Sequence, residues 1–170
     1  MEKLEHITEK KEKEKREPYK VEVIFLSKKT QKLLFGHRSE KVDEPGTWSG
    51  FSGKFDENFD DGSDLTNIAK KKVKEQTGYN GLVLCVLLWE SALDSFFKTK
   101  HIKHYIYLFI IEDEFIPKLN SEYDNFMWAG TWELPEPLHF ETKEILKNSM
   151  EEIYKVYYGL TLMRSVPEPC

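Results

Sequence analysis

Residues 46–78 read GTWSGFSGKFDENFDDGSDLTNIAKKKVKEQTG. Thr47, Trp48, Ser49, Gly50 and Phe51 are strand-prone and aromatic, and Gly46 and Gly53 bracket them, which predicts a turn followed by a strand. Asp56, Glu57, Asp60, Asp61 and Asp64 then make an acidic loop. From Leu65 the apolar residues Leu65, Ile68, Ala69 and Val73 recur at helical spacing, which predicts an amphipathic helix over about 65–77. Ser63 or Asp64 suits its N-cap, and Gly78 suits the glycine just past its end. Lys70, Lys71, Lys72 and Lys74 lie off the apolar face, as on any solvated helix.

Upstream of this stretch, Val21–Leu26 is a β-branched strand, Ser27–Thr30 a turn, and Lys32–Arg38 a second strand, so a hairpin is expected. The polar loop Ser39–Pro45 leads to Gly46. Downstream, Leu82–Trp89 is a continuous apolar run, expected as a buried strand, and Ser91–Lys100 is a polar and aromatic connection. His101–Ile111 predicts a long strand with Tyr105, Tyr107, Phe109 and Ile111 on one face, closed by Glu112, Asp113 and Glu114. Phe115–Asn120 is a candidate extension of the sheet. Glu141 to about Tyr157 predicts a second helix with Ile145, Leu146, Met150, Ile153 and Val156 inward. Strands on either side of one helix, with a helix at the end, give the α/β class: an α/β/α sandwich around a mixed sheet. The expected limits are a charged flexible tail at 1–18, a domain at 19–158 and a C-terminal tail at 159–170. In the first tail Glu9–Lys13 and Glu12–Arg16 support a helix by roughly 0.2–0.5 kcal/mol per pair, but only Leu4 and Ile7 are apolar, so it buries no face.

The segment Gly53–Gly78 resembles the signature of the Nudix hydrolases: a glycine, five residues, Glu, seven residues, Arg-Glu, an aliphatic residue, any residue, Glu-Glu, any residue, Gly. Gly78 matches the last glycine, Glu75 the first of the paired Glu residues and Val73 the aliphatic position. Arg38, Pro45, Gly46, Thr47 and Trp48 match what precedes the signature in that family. The departures are chemical: Gln76 stands for the second of the paired Glu residues, Lys72 for the Glu beside the Arg, Lys71 for the Arg, and Ser63 for the first Glu. Gly53 and Gly78 also stand 25 positions apart where the signature has 21, so four extra residues lie between Phe55 and Ser63. The resemblance covers about Val21–Tyr157. Phe115–Asn120, Trp128 and Leu134–Phe140 resemble more narrowly a subgroup common in phages and bacteria.

The resemblance implies cleavage of a nucleoside diphosphate linked to another group, with Mg²⁺ or Mn²⁺ held by helix carboxylates. Positions 72, 75 and 76 share one helix face. The family places three Glu residues there beside one Arg. Here Glu75 stands against Lys71 and Lys72, and the local sum is +1. An ammonium therefore takes the place of a dication, and the usual metal cluster is expected to be absent. What the resemblance leaves as candidates are Glu75 and Glu114 for catalysis, Arg38, Lys71 and Lys72 for substrate, and Glu75, Gln76, Asp60 and Asp61 for metal. Asp56, Asn58 and Asp60 have calcium-loop spacing, but the glycine falls at position seven and Asn67 takes position twelve, so weak, unselective cation binding is the expectation for this loop.

The net charge of −5 argues against nucleic-acid binding by bulk electrostatics. Cys85 and Cys170 make neither a disulfide framework nor a zinc site; Cys85 reads as a buried thiol. No apolar run reaches the length of a membrane span, and the N-terminus is too charged for a signal peptide, so a cytoplasmic protein with no membrane partner is expected. Two functions compete: a Nudix pyrophosphohydrolase of weak or lost activity, and a module that binds a nucleotide, a phosphate or a protein without turnover. Metal-dependent turnover on a nucleotide panel separates them.

Overall fold

The computed structural model describes residues 18–55, 65–94 and 101–164. The first tail up to residue 17, the Ser63 or Asp64 cap and the loop carboxylates Asp60 and Asp61 lie outside the described residues, as does Cys170.

Strand β1 (Tyr19–Ser27) is the axis of the sheet. It pairs in parallel with β6 (His101–Ile111) along its whole length. On its other side it has two partners in succession. Phe25 and Leu26 pair with Leu34 and Leu33 of β2 (Leu33–Arg38), closing the expected hairpin. Tyr19–Val23 pair with β4 (Phe51–Phe55). Beyond the hairpin, β2 pairs instead with the two-residue β3 (Trp48–Ser49), and along its far side with β7 (Tyr123–Ala129). The sheet therefore forks, with β1 and β4 in one arm and β2, β3 and β7 in the other. The chain crosses between the arms at Gly50, where a Cβ would meet Glu22 Oε1 and the Val23 carbonyl oxygen, each at 2.8 Å. Only a residue without a side chain makes that crossing.

Helix α1 (Leu65–Thr77) has the expected bounds, and Gly78 ends it at φ +71° with its N–H on the Lys74 carbonyl at 2.9 Å. α1 covers one face of the sheet, where Val21, Val23, Phe25, Phe51, Ala69, Val73, Tyr107, Phe109 and Ile111 are buried together. α2 (Phe140–Arg164) covers the other through Ile145, Leu146 and Ile153 against Ile24, Leu26, Phe35, Ile106, Leu108 and Ile110. This is the α/β/α sandwich with a mixed sheet. β1 is buried on both faces because a helix lies over each. α2 runs seven residues beyond the expected end near Tyr157. No described helix is long and apolar enough to cross a membrane.

Two expectations need correction. β5 (Leu84–Asp94) is the last strand in the order β3-β2-β1-β6-β5, and among the described residues it pairs with β6 alone. Its neighbourhood is not buried throughout: Leu82, Leu84 and Leu87 are exposed, and Cys85 is only half-buried, as the edge of a sheet allows. Phe115–Asn120 forms no strand. It crosses the end of α1, where Lys118 N–H and Asn120 N–H donate to the Thr77 and Gln76 carbonyls at 2.8 and 3.1 Å. Those carbonyls have no partner within the helix, so this segment serves as its C-terminal cover.

Candidate active-site cleft

The fork between the two arms opens a cleft of about 290 Å³. Lys20 of β1, Arg38 of β2, Lys54 of β4 and Lys72 of α1 bring four cationic groups to it; Asp43, Glu122 and Glu141 bring three carboxylates. The Lys72 stem lies across Gly53, where a Cβ would stand 2.8 Å from Lys72 Cε, so the first glycine of the signature is the floor beneath this side chain. The Lys72 ammonium reaches Glu122 Oε1 at 3.4 Å and Glu75 Oε2 at 4.0 Å.

Gln76, a metal candidate from the resemblance, is fully buried. Its Nε2 donates to the Ser52 carbonyl at 2.8 Å and to Glu122 Oε2 at 2.7 Å. The amide nitrogen acts here as a donor, while Oε1 is buried with no hydrogen-bond partner among the described residues. Glu122 is thus the hub: Lys72, Gln76 and the Asn120 amide (3.4 Å) all point at it. Sequence reasoning passed over Glu122. The signal was there in Asn120-Ser121-Glu122, whose Asn side chain accepts the Glu122 N–H at 3.1 Å in an Asx turn that aims the carboxylate.

Of the other candidates, Arg38 is buried and lines the cleft, with Nε on the Asp43 carbonyl at 2.8 Å and Nη2 paired to the Asp43 carboxylate. Glu75 is exposed at the edge of the Lys72 network. Lys71 is exposed and is not among the residues lining the cleft. Glu114 is not brought there either. It follows β6 at the end where Lys29 pairs with Asp113 at 2.8 Å, the far end of β1 from Lys20.

On the α2 side, the wall of the cleft is polar and buried. Lys20, Glu22 and His104 share the sheet face with Ile24 and Ile106, and Thr142 meets them from the first turn of α2. Lys20 pairs with Glu141, and Thr142 Oγ1 donates to Glu22 Oε1 at 2.9 Å. Burial alone would raise the Glu22 carboxyl, but the His104 ring, the Lys20 ammonium and the Thr142 hydroxyl outweigh it and hold the pKa at about 2. His139 caps α2, its Nδ1 accepting the Glu141 N–H at 3.3 Å. Burial and the Arg38 charge keep its pKa below the ordinary value, as an accepting nitrogen requires.

Mg²⁺ takes oxygen ligands in near-octahedral geometry. The α1 face offers it two carboxylates, Glu75 and Glu122, and turns N–H donors from Lys72 and Gln76 toward the same place. This donor set does not fit the dication that the resemblance implies.

No family model matches the chain, and no curated protein matches its sequence. Solved structures do match its shape. The Nudix domain of Shewanella oneidensis NrtR, solved with ADP ribose, superposes at a TM-score of 0.63 and 17% identity, over 82% of this chain and 90% of that one. A MutT Nudix hydrolase from Burkholderia pseudomallei superposes at 0.61 and 17% identity, over 78% and 98%. The MutT protein from Methanosarcina mazei Go1 superposes at 0.61 and 18% identity, over 82% and 96%. These superpositions show that the chain has the Nudix fold.

Proposed function

We propose that this chain binds the diphosphate of a nucleotide-type ligand in the cleft, without metal-dependent hydrolysis. One observation carries the reading: Lys72 reaches Glu122 at 3.4 Å on the helix face where the family resemblance expects a metal. A tethered ammonium supplies positive charge there but cannot gather water and phosphate oxygens around itself as a dication does. Lys is a competent point-charge partner for phosphate, and Lys20, Arg38 and Lys54 stand around the same space. Its similarity in shape to a domain solved with ADP ribose suggests the first ligand to try.

The test pairs turnover with binding. Nucleoside diphosphate derivatives, ADP ribose among them, are incubated with Mg²⁺ and with Mn²⁺, and binding is followed by calorimetry in the presence of a chelator. The expected outcome is no metal-dependent cleavage, with metal-free binding that Lys72→Met weakens. Strong Mg²⁺-dependent cleavage, abolished by Glu75→Gln, would overturn the reading. It would favour a second one, a metal-dependent pyrophosphohydrolase on Glu75 and Glu122, whose carboxylates both reach Lys72.

A further inference from the structure

On the α2 side of the sheet, across from the helix face of Lys72, Glu22, His104 and Glu141 each present one ligand atom, and the three atoms lie within 4.8 Å of one another. The topology explains the grouping. Lys20 pairs in register with His104 on the neighbouring parallel strand, Glu22 lies two residues further along the same face, and Glu141 enters from the start of α2. His104 is fully buried, and neither of its ring nitrogens has a hydrogen-bond partner among the described residues. Buried polar atoms without a partner are rare in folded proteins and call for an explanation. Nε2 stops 3.5 Å from Glu22 Oε2, beyond the range of a good hydrogen bond. It is close to the edge of a tetrahedron of zinc ligands, about 3.4 Å for metal–ligand distances of about 2.1 Å.

We propose that Glu22, His104 and Glu141 bind a divalent transition metal of the Zn²⁺ type, joining β1, β6 and the start of α2 at the cleft wall. One imidazole nitrogen with two carboxylate oxygens is a donor set for such an ion. Three protein ligands leave a fourth position, on the side where Glu141 borders the cleft. Thr142 engages Oε1 of Glu22, which orients the carboxylate and leaves Oε2 for the metal. The competing group is Lys20, whose ammonium pairs with Glu141. Lys20 also lines the cleft, so its side chain turns outward into that space when the ion replaces it at Glu141.

The full chain, stripped with a chelator, is titrated with Zn²⁺ by calorimetry and with Co²⁺ by visible absorption. The expected result is one equivalent bound. Lys20→Met should tighten binding by about tenfold or more, because it removes a like charge a few ångström from the ion. Glu141→Gln, at the rim, should weaken it at least as much. His104→Asn should abolish it, together with the Co²⁺ absorption that reports an inner-sphere nitrogen. Should His104→Asn fail to fold, Glu141→Gln in the Lys20→Met background decides the matter. The proposal is overturned if neither the parent nor Lys20→Met binds one equivalent. It is equally overturned if Zn²⁺ binding survives Glu141→Gln unchanged, since the ion then sits elsewhere.

Discussion

Replacing Gln76 by Glu exchanges one amide for a carboxylate of nearly the same shape, and the structure specifies what is lost. The buried amide donates two hydrogen bonds, to the Ser52 carbonyl at 2.8 Å and to the Glu122 carboxylate at 2.7 Å. A bond to a charged acceptor contributes about 1.5–3 kcal/mol, and a buried carbonyl left without its donor costs about 1–3 kcal/mol. Gln76→Glu should therefore cost about 3–5 kcal/mol at neutral pH, which is a large share of a typical stability of about 5–15 kcal/mol. The introduced carboxyl lies buried against Glu122, so its folded pKa is raised above the unfolded value. For such a group, stability is present below the unfolded pKa and declines as pH rises toward the folded pKa. The penalty should then shrink in mildly acid buffer, where the carboxyl regains a proton and one donor. Urea unfolding of parent and variant, at neutral and mildly acid pH, measures both effects. A second arm adds Lys72→Glu to Gln76→Glu, which gathers four carboxylates with Glu75 and Glu122, and follows melting temperature against Mn²⁺. The double variant should gain stability by mass action while the parent does not. A loss below about 1 kcal/mol for Gln76→Glu, or one equal at both pH values, would refute the account of Gln76 as an obligatory donor.

Two further outcomes follow from the packing around Tyr123. In Gly36→Ala the new Cβ would stand 2.5 Å from Tyr123 Cδ1 and 3.1 Å from Phe51 Cε1, both in buried rings; overpacking of this kind costs about 1–3 kcal/mol, and an unchanged urea midpoint would show that the rings have slack. Burial pushes the Tyr123 phenol well above its ordinary range, with its hydroxyl donating to the Gly50 carbonyl at 3.2 Å. Its contribution is therefore intact below a phenol's usual pKa of about 10 and is lost as pH rises beyond it. Tyr123→Phe should make stability fall less steeply in that alkaline range, and equal slopes for the two proteins would count against the assignment.

Much of this architecture was legible in the residues. Leu65, Ile68, Ala69 and Val73 at helical spacing, closed by Gly78, marked α1, because helical periodicity and a left-handed terminal glycine are local properties. The hairpin at Val21–Arg38 and the inward face of α2 were legible for the same reason. So was the placement of Lys72 beside Glu75, since i,i+3 neighbours on a helix meet wherever the helix goes. Tertiary structure decided the rest. Leu82–Trp89 reads as a buried strand by composition, yet strand order leaves it at an edge. Glu22 is a lone charged residue in a β-branched strand, and only the packing of helices on both faces buries it beside His104. Glu122 lies 50 residues from Lys72 and meets it only because β7 pairs with β2 across the mouth of the fork. Local patterns record what a segment prefers by itself. Burial and the meeting of distant side chains depend on which strand lies next to which, and that is set by the packing of the whole sheet.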